Sequence, residues 1–236
     1  VVRRLVLTIV MAVSAAGCSD PMPADRAPSE RAAPSDWRIE PGIRLGTLNR
    51  YGSELDLARA YGARNLRDSS ITLGEGESSP GTLLFPDDPQ RRAEILWSDL
   101  GAKRAPRRAV LRGERSLWML PHDISLGTSL GDLERANGRP FRLSGFGWDF
   151  AGAVLSWEGG ALDSLLRGAR LYLEPRVEDR AGAAYRRLQG DREFDSGNAD
   201  MRALDPRVYQ IFVDFEQPQT SAAARSDTSG ATPGGR

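Results

Sequence analysis

The sequence predicts an α+β fold: two related strand-helix-hairpin repeats forming an antiparallel sheet with helices on one face. Three observations predict it. Ten identical residues recur in the same order. Ile43, Leu45, Gly46 and Thr47 match Ile124, Leu126, Gly127 and Thr128; Ser53, Asp56, Leu57, Arg59, Ala60 and Gly62 match Ser129, Asp132, Leu133, Arg135, Ala136 and Gly138. In each copy a helical apolar period follows a serine and ends at a glycine, and alternating apolar segments suited to hairpins come after it. The 236-residue chain, 40% hydrophobic and 27% charged, has enough apolar material for one sizeable core.

From the N-terminus, Arg3 and Arg4 precede an apolar run from Leu5 to Ala16 and then the small residues Ala15, Ala16 and Gly17 before Cys18. A basic start, a short apolar run and small residues at a cut site predict a signal peptide over 1–17. The run is shorter than the about 20 residues a membrane-spanning helix needs. Residues 18–36, with Pro21, Pro23, Pro28 and Pro34, are too polar to pack and read as a flexible linker. The first repeat unit is expected over 37–120 and the second over 121–216. The Ser-, Ala-, Thr- and Gly-rich stretch 217–236 is expected to be a disordered tail.

Within each unit, Ile-x-Leu puts two apolar side chains on one face of a short extended segment, and Gly-Thr turns the chain. The first copy carries Leu48 to Gly52 as an insertion. Ser53 and Ser129 are expected helix N-caps, with Asp56 and Asp132 three residues on in the manner of a capping box. Hairpins are expected from Thr82–Phe85 with Ala93–Trp97, and from Gly147–Phe150 with Ala153–Trp157. Further strands are expected over 108–112, 115–119, 169–174 and 208–215, the last with Tyr209, Ile211, Val213 and Phe215 on one face. A short helix is expected near 180–188.

The small residues directly before a lone cysteine make the N-terminus resemble a bacterial lipoprotein signal. That resemblance implies diacylation of Cys18, palmitate among the chains, removal of the preceding peptide, and anchoring facing the periplasm. Ser19 after the cysteine is more like outer-membrane than inner-membrane lipoproteins. The block Ile124-Ser-Leu-Gly-Thr-Ser, the segment Asn137-Gly138-Arg-Pro140-Phe141, and Gly145-Phe-Gly-Trp148-Asp149-Phe-Ala-Gly152 resemble an uncharacterised family of bacterial secreted lipoproteins. More distantly, the Ile-x-Leu-Gly-Thr turn and glycine-ended helix are similar to the helix-plus-hairpin repeats of β-lactamase-inhibitor proteins and small outer-membrane assembly lipoproteins. Those proteins work by binding other proteins, and the resemblance implies the same mode here.

Composition removes several chemistries. One cysteine and one histidine, Cys18 and His122, build neither a disulfide nor a Cys/His metal cluster nor a Cys-His pair. No cofactor is expected. Thirty-two basic and 32 acidic residues are interspersed without the clustered positive charge that nucleic-acid binding needs. Asp123 adjoins His122 in sequence and is poorly placed to orient it as a catalytic base. Acid pairs occur at Glu75/Glu77, Asp87/Asp88 and Asp149/Glu158; the first two read as solvated turns, and Gly145-x-Gly147 lacks the rest of a dinucleotide fingerprint.

The densest aromatic stretch, Phe141 to Trp157, is first of all core material. Part of it must still point away from the rest, so Phe146, Trp148, Asp149 and Trp157 form the candidate binding surface, Trp148 foremost. The expectation is a lipid-anchored, non-catalytic envelope protein. Its partners would be the membrane, through the lipid, and an envelope protein or peptide. The alternative is an envelope enzyme or small-ligand carrier acting on carbohydrate or peptidoglycan through carboxylates.

Overall fold

The two repeats meet in a six-stranded sheet flanked by two three-stranded ones. The computed structural model describes residues 36–216 apart from 75 and 149; the expected signal peptide, Cys18, nearly all of the expected linker and the expected tail lie outside them. Three two-residue strands, β1 (Ile39–Glu40), β2 (Arg44–Leu45) and β3 (Leu48–Asn49), form a small sheet ahead of helix α1 (Glu54–Tyr61). Four antiparallel strands complete the first repeat: β4 (Leu66–Gly74), β5 (Glu77–Leu84), β6 (Ala93–Asp99) and β7 (Arg104–Arg112). The second repeat has α2 (Leu130–Asn137), β8 (Arg142–Ser144), β9 (Val154–Ser156), α3 (Leu162–Leu165) and β10 (Ala169–Glu174). It ends with α4 (Ala183–Arg187), β11 (Glu193–Asp195), α5 (Ala199–Leu204) and β12 (Arg207–Asp214).

The fold is α+β, and its six-stranded sheet has the order β10-β12-β7-β6-β5-β4. The repeats meet at its centre, where β12 pairs antiparallel with β7. The same backbone joints occur in both copies. The Glu54 amide donates to the Lys103 carbonyl and the Leu130 amide to the Pro206 carbonyl, each at 2.9 Å. The amides of Ala105 and Val208 donate to the carbonyls of Gly52 and Thr128. Each N-cap serine forms a bridge to the first residue of the strand that closes its repeat, Ser53 to Arg104 and Ser129 to Arg207.

Both serine caps form as expected: the hydroxyls of Ser53 and Ser129 accept the amides of Asp56 and Asp132. Leu57 and Tyr61 of α1 and Leu133 of α2 then bury against one face of the sheet, with Ile95, Trp97, Leu111, Leu171, Ile211 and Val213. That single core runs from Ile39 to Phe215 and includes residues of both repeats, so they do not form separate cores.

The other face is covered as well. β5 pairs with β6 only over Thr82–Leu84, whereas its hairpin with β4 continues to Glu77, so the hairpin's distal half leaves the sheet and curls across it. Gly81 permits this crossing: a Cβ there would lie 2.3 Å from Ile71 Cδ1 and 2.5 Å from the Ile95 carbonyl oxygen. Ile71 thereby joins Leu96, Val110, Tyr172 and Phe212 in a second, smaller core, against which Leu73 and Phe150 pack. Arg112 Nη2 ties the hairpin down by donating to the Thr72 carbonyl at 2.5 Å.

Three expected strands are corrected. The expected strand over 147–150 does not form at its described residues: Gly147 has a φ of 85°, and the Ala151 amide reaches the Trp148 carbonyl in a turn. The partner of β9 is β8 instead. Residues 115–119 are not a strand; Met119 alone makes a bridge, with Arg38, while Trp118 is buried and donates to the Arg91 carbonyl at 2.8 Å. In β12 the expected alternation breaks at Tyr209, because the pairing slips one residue between Tyr172 and Leu173. A one-residue slip turns a side chain to the opposite face, and Tyr209 packs on the smaller core while Ile211 and Val213 stay in the larger.

Candidate functional site

Of the four candidates for the binding surface, the three described ones, Phe146, Trp148 and Trp157, do not form one exposed patch. Phe146 is 1% exposed and stacks on Tyr185 at 5.9 Å between ring centres. Trp157 is 8% exposed and packs against Phe141. Both belong to the larger core, so neither presents a binding surface. Trp148 is half-buried on the turn, its indole N–H donating to the Gly145 carbonyl and its ring edge-on to Phe150 at 5.8 Å. Asp149 lies outside the described residues, as does Cys18.

The chain also carries a spacing that the sequence reading passed over, Gly127-Thr128-Ser129-Leu130-Gly131, which matches the Gly-x-Ser-x-Gly of hydrolase nucleophiles. Its surroundings assign it to capping. Ser129 has an ordinary extended backbone, and its hydroxyl donates to Asp132 Oδ2 at 2.8 Å while accepting the Asp132 amide. His122 is exposed and makes no hydrogen bond, and Asp123 pairs with Arg38. Of the carboxylate pairs, Asp87 is engaged by Arg67 and Asp88 by Arg91. Among the described residues no group of three His, Cys, Asp or Glu could hold a metal ion, and no helix is long and apolar enough to cross a membrane.

A cavity of about 830 Å³ opens at the seam of the two repeats. Four separate segments build it: the end of β7 with the loop 112–115, the turn 126–127, the end of β10 with 175–180, and the start of β12 at 207–209. These segments are brought together because β7, β12 and β10 are neighbours in the sheet. The Gly127 amide donates to the Val208 carbonyl at 2.7 Å and the Gly113 amide to the Tyr209 carbonyl at 3.1 Å, which fixes two of the walls.

Five arginines line the cleft. Three are occupied: Arg112 by Glu94 and Gln210, Arg180 by Glu174 at 2.7 Å, and Arg207 by the Gly127 carbonyl at 3.0 Å and Asp205 at 3.6 Å. Arg115 and Arg176 are exposed and make no ion pair among the described residues, and the same holds for the lining carboxylates Glu114 and Glu178. Leu126, Pro175, Val208 and the ring of Tyr209 supply apolar surface. Tyr209 is half-buried, and its hydroxyl makes no hydrogen bond among the described residues. Burial, followed by the neighbouring Glu174 charge, pushes its pKa up to about 12, so it is a neutral donor at physiological pH.

The cleft presents charges of both signs on two of its segments beside partly apolar walls, the composition of a polar ligand or contact site. The cleft was invisible in the sequence because its residues come from four segments and each charge reads locally as an ordinary solvated one. With fold and cleft defined, comparison places the molecule beside no known group: no protein-family model, curated protein or solved structure matches the chain.

Proposed function

We infer that the chain is a lipid-anchored protein of the bacterial cell envelope, most consistent with the outer membrane where there are two, whose folded part is a non-catalytic module that binds a protein or peptide. The anchor reading rests on Cys18 behind its basic and apolar leader. The binding reading rests on one observation, the cleft at the repeat seam, which combines apolar residues with charges of both signs that make no ion pair among the described residues. Its volume falls within the range of about 300–1,000 Å³ typical of ligand sites. The sheet face away from the helices is covered by residues of the β4–β5 hairpin and by Phe150, which leaves the seam cleft as the better candidate.

A photo-cross-linking amino acid replacing Val177, which is 75% exposed on the rim of the cleft, tests both halves of this reading in cells. The expected outcome is a discrete cross-linked product in the membrane fraction. With Cys18→Ser, fatty-acid labelling should disappear and the product should leave that fraction. Equal fatty-acid labelling of the Cys18→Ser chain would sink the anchor. A product that forms equally well from a probe at exposed Leu165, outside the cleft, would sink the site.

A further inference from the structure

The two edges of the six-stranded sheet are finished differently. β10 is covered: Ala153 bridges to Tyr172, and the Leu173 amide donates to the Gly152 carbonyl at 2.9 Å. β4, nine residues long, has β5 on one side and no strand on the other. The Asn65 carbonyl accepts the Phe85 amide at 2.7 Å, so it points toward β5. Backbone groups alternate in direction along an antiparallel pair, so those of Arg67, Ser69 and Ile71 also face β5, while those of Asp68 and Ser70 point outward. Pro80 opposite Ser70 agrees with this phase, because the two residues of an outward pair exchange no hydrogen bond and the missing amide costs that ladder nothing. The Asp68 and Ser70 amides and the Asp68 carbonyl make no hydrogen bond among the described residues, and the Ser70 carbonyl meets only the Ser69 hydroxyl, at 3.4 Å.

Two cavities open beside this stretch, on the side of the strand that faces α1. Thr82 marks that side: it lies opposite Asp68, and its hydroxyl donates to Glu54 Oε1 at 2.7 Å. A cavity of about 590 Å³ lies between α1 and the start of β4, with Leu55, Ala58, Ala63 and Leu66 in its walls. The other, about 400 Å³, lies where β5 leaves β6, with Ser70, Pro80 and Leu100 in its walls. Asp68 and Lys103 border both. Lys103 Nζ contacts Asp68 and stands 3.0 Å from each Glu54 carboxylate oxygen, so this ion-paired group separates the two hollows. Leu55 is 57% exposed and Leu100 50% exposed, one in each cavity. Outward backbone groups beside apolar hollows are what strand addition uses: main-chain hydrogen bonds hold the incoming segment, and the hollows select its alternate side chains.

We propose that the open edge of β4 receives an extended segment of a partner protein as an added antiparallel strand, antiparallel being the more stable pairing per residue. The residues opposite Asp68 and Ser70 exchange backbone hydrogen bonds with them. The side chains opposite Leu66 and Ser70, four residues apart on the incoming strand, enter the larger and the smaller cavity, and apolar side chains fit those two places. A second copy of the chain is a poor occupant, because outward residues pair with outward residues and its β4 would bring the polar Asp68, Ser70 and Thr72 to the cavity mouths. The proposal rests on the reading of the molecule as a binding module, at a surface that shares no residue with the seam cleft.

The probe is a heptapeptide blocked at both ends, with leucine as its second and sixth residues and serine and threonine elsewhere, added to the full chain and followed by NMR of the backbone amides. Its fourth residue is then the one opposite Asp68. Hydrogen exchange at the Asp68 and Ser70 amides should slow on binding. Methylating the fourth amide nitrogen of the peptide, which faces β4, should weaken binding about tenfold, whereas methylating the fifth, which faces away, should leave it unchanged. Leu55→Asp and Leu100→Asp replace exposed side chains, so both should keep the wild-type circular dichroism spectrum and each should weaken binding about tenfold. Ser70→Pro, which removes an outward amide from an edge strand, should abolish the slowed exchange at Asp68. Absence of protection at millimolar peptide would overturn the proposal, as would equal tolerance of the two methyl groups or the opposite preference. A dimer that protects the same amides and is lost in Ser70→Pro would assign the edge to a second copy and overturn it too. A Val177 cross-link to an envelope protein, with no effect of the heptapeptide on the Asp68 and Ser70 amides, would leave the binding-module reading standing and remove this one.

Discussion

Asn137 is buried at the C-terminal end of α2. Its side-chain amide donates to the carbonyls of Arg139 and Trp157, both at 3.0 Å, and its side-chain carbonyl accepts the Leu162 amide at 3.2 Å. One side chain thereby fixes the end of α2, the strand exit at Trp157 and the start of α3. Truncation would leave three backbone groups to find other partners in a packed setting, so Asn137→Ala should cost about 3 kcal/mol in urea-unfolding free energy. A loss under about 1 kcal/mol would mean that water replaces the amide. The first repeat has Tyr61 at the matching position, packed against Trp37 and Phe85, so nothing in the repeat pattern marked Asn137 as structural. At this scale the sequence showed which residues were apolar and which could cap. It did not show that Phe146 and Trp157 would be enclosed while Trp148, two residues from Phe146, would sit half-exposed.

The two serine-capped helices show how far local sequence reaches. Capping depends on residues within one turn, so Ser53 with Asp56 and Ser129 with Asp132 could be placed by spacing alone. Ser53→Ala and Ser129→Ala should each cost about 1 kcal/mol. The capping carboxylates are both held below their ordinary value of 3.8: Asp56 first by the Ser53 hydroxyl, and Asp132 first by the Arg135 side chain and then by the Ser129 hydroxyl. A carboxylate with a lowered folded-state pKa contributes stability that is complete above its unfolded value and is lost as pH falls through the folded one. The helices should therefore lose this support only below about pH 4, and Ser53→Ala should raise the Asp56 titration midpoint seen by carbon-detected NMR. An unchanged midpoint would show that the hydroxyl is not what holds it. The β4–β5 hairpin is the opposite case. The sequence placed β5 only over its last residues, in a hairpin with β6, and did not mark β4 as a strand; the hairpin's departure from β6 depends on space beside Gly81 and on the Arg112 contact with Thr72, neither of which a linear pattern contains.

For the whole molecule, the decisive fact is that the two repeats share a core. Leu57 and Tyr61 of α1, Leu133 of α2 and the inward residues of β7 and β12 belong to one cluster, so neither repeat can unfold without exposing the other's apolar surface. Urea unfolding should be a single transition, with circular dichroism and tryptophan fluorescence superimposed; Trp37, Trp97 and Trp118 report on the first repeat, Trp148 and Trp157 on the second. Two resolved transitions would show that the seam is weaker than the shared core implies. By itself the sequence determined the α+β class, the repeat, the capped helices and most strands, because periodicity and capping are properties of neighbouring residues. Only the tertiary structure decided which aromatics were enclosed, that the second sheet face was covered, and that a charged cleft stood at the seam. Those features depend on strand order, one register slip in β12 and contacts between residues far apart in the chain.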